Sequence, residues 1–489
     1  MAKLKHIIKQ LSEEDYAAIY DSLINSNAEK SGYLLKAMRD KQVSDAKIME
    51  ELGVNTNAYY TLRSRLNQKI EDYLLQQMES PRTDLLKKVA NINEIVFTKK
   101  RAISVATLKK LEKELIDYDL SNELTIVYKT LKKLHVNSPD FFDYSQLYNK
   151  HVAYMLSVDK AEDLLAEYFK KFGNYSLTGD EVDRLGLTLL NNEMENVCRL
   201  YQSHRLYVYQ NCLSLFHRLF VEPDEEVQDD KEPIEDILKR IQNTFDTYYL
   251  DTIYYHLQSV FEFLSLLYYN HYKVYRKAEE YFGSVNEDAS VLLSNYGLFT
   301  YPSMFLMAKL ERYLRLSVEH ELEEENRVMF EEFEIDKEDV PKYLNYAAYR
   351  ALSCYYANQF QEAGKWINML LNDVSLRNYP YAILEIKSLL ALQYCCVKDY
   401  DLFNQLVNSV QRQIRILNKE GCEDIVIFIK MLKTAISTAK REKPAKIRAL
   451  ISKYKETSPK RIFSPTRYVK MDDRFVNLLV GKPKVEEEA

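Results

Sequence analysis

The side chains that could do chemistry in this chain are numerous but scattered. Catalysis at neutral pH needs a nucleophile, a base or a metal held within hydrogen-bond reach of its neighbours. None of the eight histidines forms an H-E-x-x-H pair, since His320-Glu321-Leu322-Glu323-Glu324 puts glutamate where the second zinc ligand would stand. His204, His217, His256 and His271 lie among aromatic residues at helical spacing, the setting of packed rings. Cys395 and Cys396 are adjacent, so a helix points them about 100° apart and they cannot share one metal. The ten glycines stand singly, which excludes a phosphate-cradling loop. The expectation is a non-enzymatic chain that needs no cofactor and works by binding.

A second kind of chemistry is charge. Residues 430–470 hold thirteen Lys or Arg against only Glu442 and Glu456, in a chain whose net charge is −6. Within and around this run, Lys440, Arg441, Lys443, Lys446, Arg448, Lys453, Lys455, Lys460, Arg461 and Arg467 are the candidates for contact with RNA, an acidic protein or an anionic membrane surface. The alternative is that they fold back on the chain's own acids. Two acidic stretches could receive them: 222–236, with nine acids and one lysine, and 319–339, with eleven acids against Arg327 and Lys337. Ser458-Pro459 and Ser464-Pro465 favour extended backbone at the end of the basic run.

The elements that must position these groups are helices. Gly and Pro together number 21 of 489 residues, about 4%, where roughly 12% is usual. Strand-rich chains spend glycine on tight turns, so a chain this poor in it reads as all-α. No C-x-x-C spacing links the six cysteines, which suits free buried thiols in a reducing cytoplasm. The basic N-terminus runs into Ser12-Glu-Glu-Asp15 without an apolar signal region, and no run of 18 apolar residues exists. A transmembrane segment is therefore not expected.

Residues 1–80 read as a small helical domain. Ser12 opens a helix through Ile24; Lys30–Asp40 is a second; Ser44 caps Asp45–Leu52; Gly53 stops it; and Asn57 to about Met78 is the fourth, closed by Ser80-Pro81. The stretch Ser44 to Leu66, with Leu52-Gly53-Val54 at its turn, resembles the helix-turn-helix of sigma-factor region 4 and of response-regulator output domains. That resemblance implies that Asn57, Tyr60, Thr61, Ser64 and Arg65 face a DNA major groove, with Arg63 and Lys69 nearer the phosphates. Tyr59 stands where a small aliphatic residue is usual. Residues 1–79 carry eleven basic and twelve acidic residues, little surplus for phosphate, but residues 52–70 contain no acid at all.

From 82 to 440 amphipathic helices follow one another, and several share an aromatic residue, a short polar turn and a small alanine. Tyr355-Tyr356 to Ala363 is the clearest; Tyr268-Tyr269 to Ala278, Tyr154 to Ala161, and Phe97 to Ala106 repeat it, while Phe403 fills the alanine position in 389–410. Helices cross closely where one side chain is small and a ring fills the space beside it. This spacing resembles the tetratricopeptide repeat, in degenerate form because no 34-residue period survives. The resemblance implies a right-handed superhelix of antiparallel helix pairs, an α-solenoid, with a tyrosine-rich groove. Tyr349, Arg350 and Tyr356 are the groove candidates. Residues 441–489 form a basic C-terminal segment and tail. The leading functional expectation is a scaffold or adaptor for a protein or peptide partner. The alternative is a nucleic-acid-associated regulator, with the helix-turn-helix at one end and a sensing or dimerising body behind it.

Overall fold

The computed structural model describes residues 13–26, 28–40, 45–77, 81–201, 203–222, 232–248, 254–330, 335–417, 421–437, 443–457 and 461–480, with positions 4, 7, 8, 11 and 333. Among the described residues there are twenty-four α-helices and two short 3-10 turns, and no strand. No described helix is long and apolar enough to cross a membrane. The expected caps Ser12 and Ser44, most of the acidic stretch after Glu222, and Lys440, Arg441 and Lys460 lie outside the described residues.

The chain divides into two compact units, Met1–Glu114 and Leu115–Ala489. The first holds α1 (Glu13–Asn25), α2 (Glu29–Asp40), α3 (Asp45–Leu52), α4 (Thr56–Gln77), α5 (Pro81–Ala90), α6 (Ile92–Thr98) and most of α7 (Arg101–Asp117). Ile19, Leu23, Leu34, Leu35, Met38, Ile48, Tyr59, Leu66 and Ile70 form one buried cluster. The unit runs past residue 80 because α5 to α7 belong to it.

The second unit begins with α8 (Ser121–Leu134), α9 (Asp140–Thr178), α10 (Glu181–Leu200), α11 (His204–Phe220) and α12 (Ile234–Tyr248). Next come α13 (Tyr255–His271), α14 (Tyr275–Glu287), α15 (Ala289–Asn295), α16 (Met304–Leu316) and α17 (Leu322–Met329). It ends with α18 (Val340–Tyr356), α19 (Phe360–Asp373), α20 (Pro380–Val397), α21 (Tyr400–Ile416), α22 (Glu423–Ile436), α23 (Lys443–Lys455) and α24 (Asp473–Val480). Sequence-adjacent helices pack as pairs, among them α13 with α14, α18 with α19 and α20 with α21.

These three pairs share one turn. Lys273, Asn358 and Lys398 each have φ near +60°, and the next amide closes back five residues: Val274 N to Tyr269 O at 2.8 Å, Gln359 N to Cys354 O at 2.8 Å, and Asp399 N to Tyr394 O at 2.9 Å. This is the left-handed helix ending that glycine usually supplies, carried here by lysine and asparagine. Behind the turn, Ala278, Ala363 and Phe403 are all buried.

Two expected pairs are corrected. Tyr154 and Ala161 do not flank a turn but lie within α9, a single helix of 39 residues, about 60 Å long. The 154–161 segment lacks a left-handed turn residue, and its apolar spacing continues unbroken through Val158, Leu165, Phe169 and Phe172. Phe97 is 86% exposed and Ala106 is exposed too, so no ring fills a gap beside that alanine. In α7 the buried face is Ser104, Leu108, Leu111 and Leu115 instead.

The C-terminal end of α9 also meets chain far ahead of it. Phe172 packs on Tyr301 at 5.1 Å, Asn174 accepts from the Tyr379 hydroxyl at 2.6 Å, and Ser176 O accepts from Phe463 N at 2.9 Å. A Cβ on Gly173 would sit 3.2 Å from Pro341 Cβ, so glycine lets α18 approach. A linear repeat stack touches only its neighbours; this unit returns upon α9.

Candidate functional site

In the first unit the α3-turn-α4 segment builds an exposed polar face. Gly53 turns the chain with φ +60°, and a Cβ there would meet nothing within 4 Å, so the backbone angle rather than close packing is what favours glycine. Asn55 caps α4, its side-chain oxygen accepting from Ala58 N at 2.9 Å. Tyr59, Leu66 and Ile70 hold the back of α4 on the core. Burial, with Asp45 adding to it, pushes the Tyr59 phenol up to about 12. Asn57, Tyr60, Thr61, Ser64, Arg65 and Lys69 are consequently exposed, Tyr60 at 45%. The Thr61 hydroxyl donates to Asn57 O at 3.0 Å. Arg63 is different: its side chain is mostly covered and pairs with Asp45 at 3.4 Å, clasping α4 to α3.

The groove candidates are corrected. Tyr349, Arg350 and Tyr356 are buried, because α18 is covered along its whole length from Tyr343 to Tyr356. The Tyr349 hydroxyl donates to Asn326 Oδ1 at 2.8 Å. Arg350 donates to Glu323 at 3.4 Å, with its guanidinium 4.6 Å from the Trp366 ring and 5.3 Å from Phe330. The Tyr356 hydroxyl accepts from Lys470 N at 2.8 Å and donates to Tyr468 O.

The basic segment divides in two. On α23, Lys446, Arg448, Lys453 and Lys455 are exposed while Ile447, Ile451 and Tyr454 pack inward; Lys443 Nζ donates to Ala435 O at 2.7 Å. Arg448 pairs with Asp473 at 2.8 Å, and Arg467 is exposed beside Thr457. Arg461 is buried. It pairs with Glu385 and with Asp424 at 3.0 Å, and donates to Gly421 O at 2.8 Å. Glu385 also accepts from Ser464 Oγ at 2.8 Å and from Thr466 Oγ1 at 2.7 Å. These bonds pin a strap, residues 461–470, onto α20 and α22. Lys470 joins it to Glu319 at 3.3 Å. The strap is neither a solvated tail nor fully extended, since Pro465–Tyr468 is a 3-10 turn.

The strap also walls a cavity of about 280 Å³, lined mainly by Phe172, Phe220, Tyr301, Met304, Met307 and Phe463, with His271, Lys273 and Glu311 among its polar residues. These residues come from five separated segments, and no sequence spacing joins them. Glu385 carries a sequence signal: it is the one acid in the apolar run Ile383 to Leu392, apart from Lys387 its only charge.

All six cysteines are free, and burial pushes the thiols of Cys198, Cys212, Cys354 and Cys395 up to about 12 and that of Cys422 to about 11. Such thiols stay protonated and weakly nucleophilic. No cluster of three or more His, Cys, Asp or Glu suited to a metal occurs among the described residues. Comparison with protein-family models, curated proteins and solved structures gives no match.

Proposed function

We propose that the chain is a non-catalytic regulator that contacts duplex nucleic acid through the outer face of α4, with the second unit as a sensing body. The carrying observation is that Asn57, Tyr60, Thr61, Ser64, Arg65 and Lys69 are exposed on a helix whose back is anchored by Tyr59, Leu66 and Ile70. Side chains of this kind meet base edges and phosphates when a helix enters the major groove. The pairs α13–α14, α18–α19 and α20–α21 are, in this reading, degenerate tetratricopeptide-like units, supported by their common left-handed turn and their buried Ala278, Ala363 and Phe403. The acid-free segment 52–70 supplies few phosphate contacts, so affinity should be modest at low salt.

A second reading, a scaffold for a protein partner, draws on α10. There Val182, Leu185 and Leu189 are 72%, 53% and 69% exposed, an apolar stripe at helical spacing. One experiment separates the two. Full-length protein is titrated into labelled duplex DNA and followed by anisotropy between about 50 and 200 mM salt. The regulator reading expects Arg65→Ala with Lys69→Ala to lower the salt slope by about 2, roughly one per cation removed, while Leu185→Glu leaves binding unchanged. Absence of DNA binding at the lowest salt, with the parent chain folded, sinks the regulator reading.

A further inference from the structure

The turn between α6 and α7 sets bulky apolar side chains and cations side by side in water. Phe97, in the last turn of α6, is 86% exposed, and Ile103, in the first turn of α7, is 52% exposed. Between them stand Lys99, Lys100 and Arg101, all exposed. Residues 95–111 hold five cations, these three with Lys109 and Lys110, and no acid. Lys109, Lys110 and Lys113 carry the basic surface along the outer side of α7, away from the buried Ser104, Leu108 and Leu111.

The turn is held in shape from inside. Ser104 is fully buried, and its hydroxyl donates to Ile95 O at 3.2 Å, tying the start of α7 to α6. Lys99 N closes on Ile95 O at 3.0 Å, and Ile103 N on Lys100 O at 2.9 Å. Ile92, Leu108 and Leu111 give the two helices an inner, buried side, and Phe97 and Ile103 lie off it. A phenylalanine left in water forfeits the stabilisation that burial would give it. The cations around it indicate what could restore that burial. An anionic bilayer offers hydrocarbon to the ring and phosphates to the lysines, whose aliphatic stems can lie along the apolar surface. A nucleic-acid backbone would satisfy the cations alone.

We infer that the α6–α7 turn docks on anionic lipid membranes, with Phe97 and Ile103 entering the interface and Lys99, Lys100 and Arg101 contacting the headgroup phosphates. Stable attachment to a bilayer surface takes two signals, and here an apolar anchor and a basic cluster share the stretch Phe97 to Ile103. The attachment is peripheral, since no described helix is long and apolar enough to cross a membrane. This surface uses none of the exposed α4 residues and does not rest on the nucleic-acid reading.

Sedimentation of the full chain with vesicles tests the inference. Binding to phosphatidylcholine containing about a third phosphatidylserine should be saturable and weaken with salt, and pure phosphatidylcholine should bind far less. Phe97→Ser with Ile103→Ser should weaken binding about 10-fold or more. Lys99→Ala with Lys100→Ala should weaken it about 10- to 30-fold. Both variants should keep their helicity by circular dichroism, because all four side chains are exposed. Phe97→Trp reports insertion directly: its emission should shift to the blue on vesicles and be quenched by lipids brominated in their acyl chains. The chain's one native tryptophan, Trp366, lies in the second unit and supplies a constant background measured with the parent chain. Absence of binding to the anionic vesicles at about 50 mM salt overturns the proposal. So does an introduced tryptophan that is neither shifted nor quenched. Loss of duplex-DNA affinity in the lysine variant, with vesicle binding retained, would overturn it too and assign the turn to nucleic acid.

Discussion

Arg63 on α4 and Arg461 in the strap both come from basic stretches that, read along the chain, offer cations to an outside partner. Arg63 clasps Asp45, a carboxylate half in water, at the edge of a face where Arg65 and Lys69 remain exposed. Arg461 is enclosed with Glu385 and Asp424, and the strap's Ser464 and Thr466 complete the shell. Water solvates the first arginine's partner, and only protein solvates the second's. A basic run thus stays at the exposed surface in one unit and becomes an internal fastening in the other. Which of the two it becomes depends on whether an acid is already buried opposite it.

The contrast can be broken most sharply by truncating each arginine. Arg461→Ala leaves Glu385 and Asp424 buried without their cation and should cost about 3–5 kcal/mol. Arg63→Ala removes a partly solvated pair and should cost no more than about 1 kcal/mol. Urea unfolding followed by circular dichroism measures both, and equal losses would erase the distinction between fastening and surface.

A second test compares the alanine and aromatic positions of the helix pairs. Ala363 is fully buried where α19 crosses α18. Ala363→Leu should overpack that crossing and cost about 1–3 kcal/mol. Ala106→Leu, on an exposed face, should change stability by less than about 0.5 kcal/mol. If both substitutions are tolerated in thermal melts, close crossing is not what selects the buried alanine.

A smaller effect separates the units by pH. Burial lowers the pKa of His151 and of His204 below the usual histidine value, with Lys150 adding to the effect at His151 and Asp119 opposing it at both. A folded-state pKa below the unfolded one means that the unfolded chain binds the proton more readily. Stability from these residues is present above pH about 6.5 and is lost as pH falls from there through the lowered values. The urea midpoint of the second unit's transition should fall between pH 7.5 and 5.5, and His151→Gln should flatten that dependence. An unchanged slope in the variant would remove His151 from the account.

Much of the local structure was legible beforehand. The helix Asp45–Leu52, its stop at Gly53 and the pair around Tyr356 and Ala363 follow from apolar spacing, caps and turn residues within a few positions of each other. The pair expected around Ala161 was not a pair, because a polar helix-compatible stretch looks like a turn until a left-handed residue is required and missing. Tyr349, Arg350 and Tyr356 were misplaced for another reason. Periodicity reports that a helix has faces, but α18 is covered on all of them, by α9, α16, α17, α19 and the strap. The outer face of α4 was expected from the helix-turn-helix resemblance of Ser44 to Leu66, whereas the cavity had no signal in any one segment.

By itself the sequence determined an all-α chain, most helix limits and the shortage of glycine that puts lysine and asparagine into left-handed turns. Those outcomes rest on backbone hydrogen bonds and side-chain spacings that span four or five residues. The tertiary structure alone decided that Arg461 meets Glu385, 76 residues away, that Phe463 reaches back to Ser176, and that Tyr301 faces an open space. A charge or a hydroxyl acquires its role from the groups that replace its water, and in a chain that returns upon α9 those groups are supplied from tens to hundreds of residues away.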